Sequence, residues 1–220
     1  MIALPALRHF AGRLRRSTRG VAMVEFALCL PFVVMTTMTA AELTNYTTTK
    51  MRVSQLALQI ADNASRIGTG TVQSTRTISE LQLNDMLTGA HIQSGRLNLF
   101  ANGRVIISSL QPGVATNTYV VKWQRCKGVK SFASTYPSAG TTERSTTSAT
   151  ANPFNVTPPP SGAVIFVEIN YTYQPLIGGN FLPLAGSRDI KEIAAMTVRD
   201  NRDYSGGTNG IYNSENAPVA

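Results

Sequence analysis

The sequence predicts an α+β fold in which one long N-terminal helix carries a small, mainly antiparallel β-sheet. An apolar run lies between Glu25 and Glu42, and helical periodicity continues from there to Ile67. Runs rich in β-branched and aromatic residues, typical of strands, follow Gly70. A helix followed by a set of strands is typical of α+β folds.

The first 20 residues are predicted to form a basic leader. They carry five arginines and no acidic residue, which accounts for five of the eight net positive charges of the 220-residue chain. These arginines are Arg8, Arg13, Arg15, Arg16 and Arg19. Because basic residues beside an apolar segment stay on the cytoplasmic side, the leader is predicted inside and the rest across the membrane. The remaining chain is nearly balanced in charge, which disfavours nucleic-acid binding.

Residues 21–43 are predicted to span the membrane. The charged side chains in this segment are Glu25 and Glu42 alone. Its length is close to the roughly 20 residues that cross a hydrocarbon core. Pro31 removes one backbone donor, which predicts a kink or a local loosening of the helix.

Residues 44–67 are predicted to form an amphipathic extension of the same helix. Apolar residues recur there at three- and four-residue steps along one face. This face comprises Val53, Leu56, Ala57, Ile60, Ala61, Ala64 and Ile67. Gly68 and Gly70 predict the end of the helix. The extension is expected to pack against the globular region.

Residues 71–199 are predicted to form a periplasmic α+β globular domain. The capping-box pattern at Thr77–Glu80 predicts a short helix through Leu87 that ends near Gly89. The Asn-Gly pair in Ala101-Asn102-Gly103 predicts a hairpin turn between the first two strands. The predicted strands are Leu97–Phe100, Arg104–Leu110, Tyr119–Cys126, Ala163–Tyr173 and, with a short helix as the alternative, Ile190–Arg199.

Apolar and polar residues do not alternate cleanly along the strand at 163–173, which predicts that both of its faces are covered. Residues 131–162 are rich in Ser, Thr, Ala and Pro, which predicts a flexible, exposed loop. Residues 200–220 are polar and rich in Gly and Asn, which predicts a mobile tail.

Gly20 and Glu25 form the candidate functional pair. A charge inside an apolar span costs about 2.5–3.5 kcal/mol at the bilayer centre, and the run holds no Lys or Arg to pair with Glu25. Cleavage after Gly20 would free the amine of Val21, and that amine on a neighbouring subunit would neutralise Glu25. The alternative is that Gly20 is an ordinary leader residue and that Glu25 is tolerated in the headgroup zone.

Gly20, Glu25 and Phe26 resemble the processing motif of type IV prepilins, in which prepilin peptidase cuts after the glycine. The N-terminal third is similar to TadE-like pseudopilins, or minor pilins, of the Tad (Flp, type IVc) pilus system. The major Flp pilin usually carries Tyr after the glutamate and is much shorter, so Phe26 and the large C-terminal region favour the pseudopilin branch. Residues 164–176 and 181–184 and, more weakly, 123–126 also look like the C-terminal portion of this family.

The resemblance implies a pilin-like helix and a role in pilus biogenesis and assembly, adhesion and secretion. The implied processing site is Gly20 and Val21, and the implied assembly residues are Glu25 and Phe26. Implied partners are prepilin peptidase, other pilins or pseudopilins and the Tad assembly platform. The protein would cross the bacterial inner membrane once, with its N-terminus cytoplasmic and its C-terminal domain periplasmic.

Enzymatic chemistry is not predicted. His91 is the only histidine after the leader, and with Cys126 it falls short of the four ligands of a structural zinc site. The acidic residues Glu80, Asp85 and Glu168 are scattered along the sequence, and scattered acids are usually solvated. We therefore expect no enzyme activity, no metal, no cofactor and no small-molecule substrate.

The two cysteines are predicted not to bridge within the chain, because Cys29 lies in the apolar run and Cys126 lies in the exported region. Cys126 is expected to be a free or packed thiol, with pairing between chains as the alternative.

Two other interpretations stay open. Thr39-Ala40-Ala41 imitates the cleavage site of a secretory signal peptide, and cleavage there would leave Glu42 as the first residue. The early charge and the long leader disfavour this reading. The alternative of another functional class is a membrane-anchored periplasmic binding module that is neither cleaved nor polymerised.

Overall fold

The computed structural model describes residues 20–70, 75–140, 142–177, 188–207 and 210–212. The chain divides into two compact units. The anchor unit comprises residues 1–45 and 175–186, and the sheet unit comprises residues 46–174 and 187–220. The division falls inside the long N-terminal helix, so this helix contributes to both units.

Helix α1 runs from Val21 to Arg66, and its 46 residues include Pro31. This confirms the single long helix that the sequence predicts. Near the end of the apolar run, three threonine hydroxyls donate to backbone carbonyls three or four residues earlier. The helix therefore satisfies these hydroxyls internally, which lowers the cost of placing them in an apolar environment.

The strands of the sheet unit are β1 (Ile78–Ser79), β2 (Gly103–Pro112), β3 (Thr118–Lys127), β4 (Arg144–Ser145), β5 (Val164–Thr172), β6 (Asp189–Thr197) and β7 (Ile211–Tyr212). They form a five-stranded antiparallel sheet in the order β4-β3-β2-β5-β6 and a two-stranded parallel sheet that pairs β1 with β7. Strands β2, β3, β5 and β6 lie where the sequence predicts strands.

Hydrophobic clusters cover both faces of the five-stranded sheet. The larger cluster includes the apolar face of the second half of α1, as predicted, with six residues buried there. Because successive side chains of a strand point to opposite faces, Ile165 and Val167 of β5 join this cluster, whereas Val164 and Phe166 join the smaller one. This confirms that β5 is covered on both sides.

Helix α2 (Glu80–Ser94) begins at a capping box different from the predicted one. The Ser79 hydroxyl accepts from the backbone N–H of Gln82 at 3.3 Å, and the Gln82 side chain accepts from the Ser79 N–H at 3.0 Å. The box predicted at Thr77–Glu80 is wrong because Thr77 pairs with another segment in an antiparallel bridge. The end predicted near Gly89 is also wrong. Burial of the apolar face of α2 outweighs the cost of about 1 kcal/mol for a glycine inside a helix.

The strand predicted at Leu97–Phe100 is wrong. A 3-10 turn (Gly95–Leu97) and the short helix α3 (Leu99–Asn102) occupy this segment, and Asn98 lies between them in the left-handed region at φ 47°. A short apolar run does not by itself distinguish a strand from a helix, which is the reason for the error.

The hairpin turn predicted at Ala101-Asn102-Gly103 is wrong as well, because Gly103 is the first residue of β2. A Cβ on Gly103 would lie 2.6 Å from the carbonyl oxygen of Asn170 on the neighbouring strand β5. Glycine is therefore required there by the close approach of two strands rather than by a turn.

Residues 131–162, predicted as an exposed loop, are mostly irregular but contribute to the core. Tyr136 is 2% exposed, and its ring centroid lies 4.6 Å from that of Phe166. Its hydroxyl donates to Oδ1 of Asn152 at 2.8 Å. The prediction of a wholly exposed loop is wrong because this segment covers the second face of the sheet.

The mobile tail predicted over 200–220 is wrong for residues 200–207 and 210–212. Ile211 is fully buried, and Arg202 is 4% exposed. Nη2 of Arg202 donates to the carbonyl oxygens of Ile67 at 2.7 Å and Ser65 at 3.1 Å. This part of the chain therefore closes the C-terminal end of α1, while residues 208–209 and 213–220 lie outside the described residues.

Candidate functional site

The predicted processing and assembly residues lie together at the start of α1. Val21 is the first residue of the helix, and Gly20 immediately precedes it. The leader before Gly20 lies outside the described residues. Gly20 is exposed, and a Cβ built on it would meet no described heavy atom within 4 Å. The described residues thus make no steric demand for glycine at this position.

Glu25 and Phe26 lie in the second turn of α1, and both are exposed, Phe26 by 64%. None of the ion pairs between described residues involves Glu25. Residues four apart share one face of a helix, so Glu25 lies on the face of Val21, about 6 Å further along the axis. The site thus presents an acidic group with no ion-pair partner among the described residues close to the candidate new terminus.

Exposed apolar side chains surround the first half of α1. The most apolar 18-residue window of the helix has a mean hydropathy of 2.0, and none of it is buried. The large exposed residues here include Met23, Val24, Phe26, Leu28, Leu30, Phe32, Val33, Val34, Met35 and Met38. A long helix that is apolar and exposed all round fits a single membrane-spanning segment.

Glu42 ends the apolar run and is only 1% exposed. Its Oε2 accepts from the backbone N–H groups of Leu176 at 3.1 Å and Ile177 at 3.0 Å. We name this contact the Glu42 clasp; it joins the anchor helix to the connection between β5 and β6 within the anchor unit. Sequence reasoning missed the clasp because its partners lie 134 and 135 residues away.

Both cysteines are free thiols, with Cys29 exposed and Cys126 partly buried. Nη2 of Arg104 donates to Sγ of Cys126 at 2.9 Å. Cys126 and Arg104 line a cavity of about 310 Å³ in the sheet unit together with Tyr136 and other residues of β2, β3 and the 131–162 segment.

Residues considered as catalytic candidates have packing or pairing partners instead. The His91 ring stacks on Phe100 with centroids 5.2 Å apart. Glu80 forms an ion pair with an arginine of β3, and Glu168 accepts from the backbone N–H of Thr135 at 2.9 Å. The expectation that these acids are solvated is wrong for both, because each is buried beside its partner, whereas Asp85 is exposed as expected. Within the described part of the chain, no three His, Cys, Asp or Glu side chains are grouped to hold a metal ion.

Residues 20–62 match the model of a family described as TadE-like protein. The match covers about a fifth of the chain and includes Gly20, Val21, Glu25, Phe26 and most of α1. No curated protein and no solved structure gives a significant match. The strands of the sheet unit lie outside the matched segment.

Proposed function

We propose that this protein is a minor pilin or pseudopilin of the Tad pilus system and acts in pilus biogenesis and assembly, because its residues 20–62 match the TadE-like family. The protein enters the inner membrane with its arginine-rich leader in the cytoplasm and its sheet unit in the periplasm. Prepilin peptidase then cuts between Gly20 and Val21, and the exposed apolar helix packs laterally on other pilin-type helices of the assembly. Its role is structural rather than enzymatic.

The start of the family match at Gly20 is the observation that carries this proposal. The matched segment begins at the residue before the proposed scissile bond and continues along the exposed apolar helix. The free space around Gly20 adds support, because the described structure does not itself need a glycine at that position.

Glu25 sets the register of the assembled helices in this proposal. A neighbouring helix displaced by about 6 Å along the axis brings its Val21 amine level with Glu25. In an apolar environment an unpaired carboxylate and an unpaired amine are each costly, so an ion pair between Glu25 and the neighbour's Val21 amine lowers the cost of both. The exposed apolar side chains of α1 would therefore provide the lateral packing, and Glu25 would set the axial register.

Intact-mass spectrometry of the protein isolated from cells with and without active prepilin peptidase tests the cleavage. We expect a mature chain that starts at Val21 only when the peptidase is active. A Gly20→Val variant should keep residues 1–20, because a branched side chain replaces the hydrogen next to the scissile bond. Gly140→Val is the matched control, since Gly140 is another glycine with no described heavy atom within 4 Å of a built Cβ. A wild-type chain that keeps its leader in the presence of the active peptidase would refute the processing step.

A Glu25→Ala variant separates cleavage from assembly. We expect normal cleavage but loss of crosslinking to other pilus subunits, whereas Asp85→Ala, at an exposed acid on α2, should crosslink like the wild type. Crosslinking of the Glu25→Ala protein at the wild-type level would remove the role assigned to Glu25.

The alternative is a membrane-anchored periplasmic binding module that is neither cleaved nor polymerised. The cavity beside Cys126 favours it, because its volume of about 310 Å³ reaches the lower end of the range for ligand pockets. Retention of the leader in cells with active peptidase supports this alternative over the pilin.

A further inference from the structure

We propose that the Glu42 clasp holds Leu176 and Ile177, which follow β5, against the bilayer, so that Leu176 inserts into lipid at the edge of the hydrocarbon core. The membrane surface concerned is the one opposite the leader. This inference rests on the part of the proposed function in which α1 spans the membrane. It concerns the uncleaved protein, which keeps its leader arginines, and it does not depend on assembly into a pilus.

The spacing of the two acidic residues of the span places Glu42 at the apolar boundary. Sixteen uncharged residues separate Glu25 from Glu42, which corresponds to about 24 Å of helix. A typical hydrocarbon core is about 30 Å thick, so both carboxylates cannot lie outside it without thinning of the bilayer. The leader arginines hold the Glu25 end near the headgroups. Glu42 is therefore left within or at the far edge of the apolar layer.

A carboxylate at this depth needs hydrogen-bond donors, because little water reaches it. The clasp supplies two of them, the backbone N–H groups of Leu176 and Ile177, and the Glu42 side chain is only 1% exposed. Both donors belong to the β5–β6 connection itself. These two hydrogen bonds consequently bring Leu176 and Ile177 to the depth of Glu42.

Apolar side chains are exposed at that level. Leu176 is 66% exposed, and Leu43, next to Glu42 on the helix, is 50% exposed. The clasp joins Leu176 to the apolar helix α1, which lies in lipid before it packs on other pilin-type helices, so lipid is the occupant that we assign to Leu176. Burial of an exposed leucine in lipid is favourable and needs no complementary shape.

Tryptophan scanning of the full-length protein in phosphatidylcholine vesicles tests the depth of Leu176. Leu176→Trp is compared with Phe32→Trp in the span and with Ile92→Trp on α2, three positions at which 66%, 72% and 74% of the native residue is exposed. The native Trp123 is 3% exposed, and its signal is subtracted using the unmodified protein. Quenching by 5-doxyl phosphatidylcholine reports contact with lipid, and quenching by iodide reports contact with water.

We expect doxyl lipid to quench the introduced tryptophan of Leu176→Trp at least twofold more than that of Ile92→Trp. Iodide should quench the Leu176→Trp variant at least twofold less than the Ile92→Trp variant. Adding Glu42→Ala to Leu176→Trp should move both of its quenching values towards those of Ile92→Trp. Circular dichroism of the double variant should show an unchanged helix and sheet content.

Each contrary result overturns the inference in a distinguishable way. Equal iodide access in Leu176→Trp and Ile92→Trp, with Phe32→Trp still quenched by lipid, leaves the membrane span standing and refutes insertion of Leu176. Shielding of the Leu176→Trp fluorophore from both quenchers indicates a protein neighbour and refutes lipid as the occupant. Lipid quenching that persists after Glu42→Ala is added refutes the clasp as the tether. Iodide access to the fluorophore of Phe32→Trp refutes the span and the inference together.

Discussion

Replacing Arg202 by Met removes a buried guanidinium from the end of α1 and keeps a long side chain in its place. In the wild-type structure Nη2 donates to the carbonyl oxygens of Ile67 at 2.7 Å and Ser65 at 3.1 Å. The last four carbonyl groups of a helix have no intrahelical partner, and that of Ser65 is one of them, while Ile67 directly follows the helix. Arg202 thus satisfies two carbonyl groups that the variant leaves without this donor. We expect the sheet unit of the variant to be less stable.

The magnitude follows from two opposing effects. A hydrogen bond to a charged group contributes about 1.5–3 kcal/mol, so two contribute about 3–6 kcal/mol. Burial opposes this gain: it lowers the pKa of Arg202, and Nε and Nη1 find no partner in the described part of the chain. Removing this poorly solvated charge also removes its desolvation cost, which offsets part of the stability lost with the two hydrogen bonds. The net destabilisation is therefore about 2–4 kcal/mol. At about 2–4 °C per kcal/mol for a domain of this size, Tm should fall by roughly 4–16 °C.

Thermal unfolding of the full-length protein in detergent micelles measures this effect. The fluorescence of Trp123, which is 3% exposed, follows the sheet unit. Arg66→Met is the matched control, because Arg66 also lies in the last turn of α1 but pairs with Asp62 through a side chain that is 67% exposed. Such a surface pair contributes about 0–1 kcal/mol. A Tm of Arg202→Met within about 1 °C of the control, well below the shift expected for this loss, would refute the closing role of Arg202.

Gly103→Ala should destabilise the protein by about 1–3 kcal/mol because its Cβ overlaps β5; Gly140→Ala has free space, and equal Tm values for the two would contradict the close strand approach. Burial raises the pKa of Tyr136 above its ordinary value of 10.0, so the folded state retains a proton that the unfolded state loses. Wild-type stability should therefore fall as pH rises above about 10, and the Tyr136→Phe variant should lose less. Urea titrations at stepped pH check this, and parallel curves would count against it. Ser79→Ala should lower the urea stability of the protein by about 1 kcal/mol through loss of the α2 cap; an unchanged midpoint would contradict that cap.

The elements that depend on residue spacing were predictable. The apolar face from Val53 to Ile67 repeats with the period of a helix, and its residues Val53 to Ala64 are buried in the structure. The missing alternation at 163–173 correctly predicted a strand with two covered faces. The segment Leu97–Phe100 was not predictable in this way, because a short, largely apolar run suits a strand and a helix equally well.

The candidate site likewise has a part that is visible in the sequence and a part that only the folded chain shows. Gly20, Val21, Glu25 and Phe26 are neighbours in the chain, so their pattern is visible in the sequence, and the family match includes all four. Glu42 also stands out in the sequence as a charge, but its donors at Leu176 and Ile177 become visible only once the chain has folded.

The long helix, its apolar first half and most strand positions could be read from the chain alone, because periodicity acts over a few neighbouring residues. Where the polar, aperiodic segments pack became visible only in the folded molecule. Arg202 lies at the end of α1, Tyr136 lies over β5, and the Glu42 clasp closes within the anchor unit. These three contacts join residues that are distant in the chain, and such pairings depend on the shape of the folded core rather than on local composition.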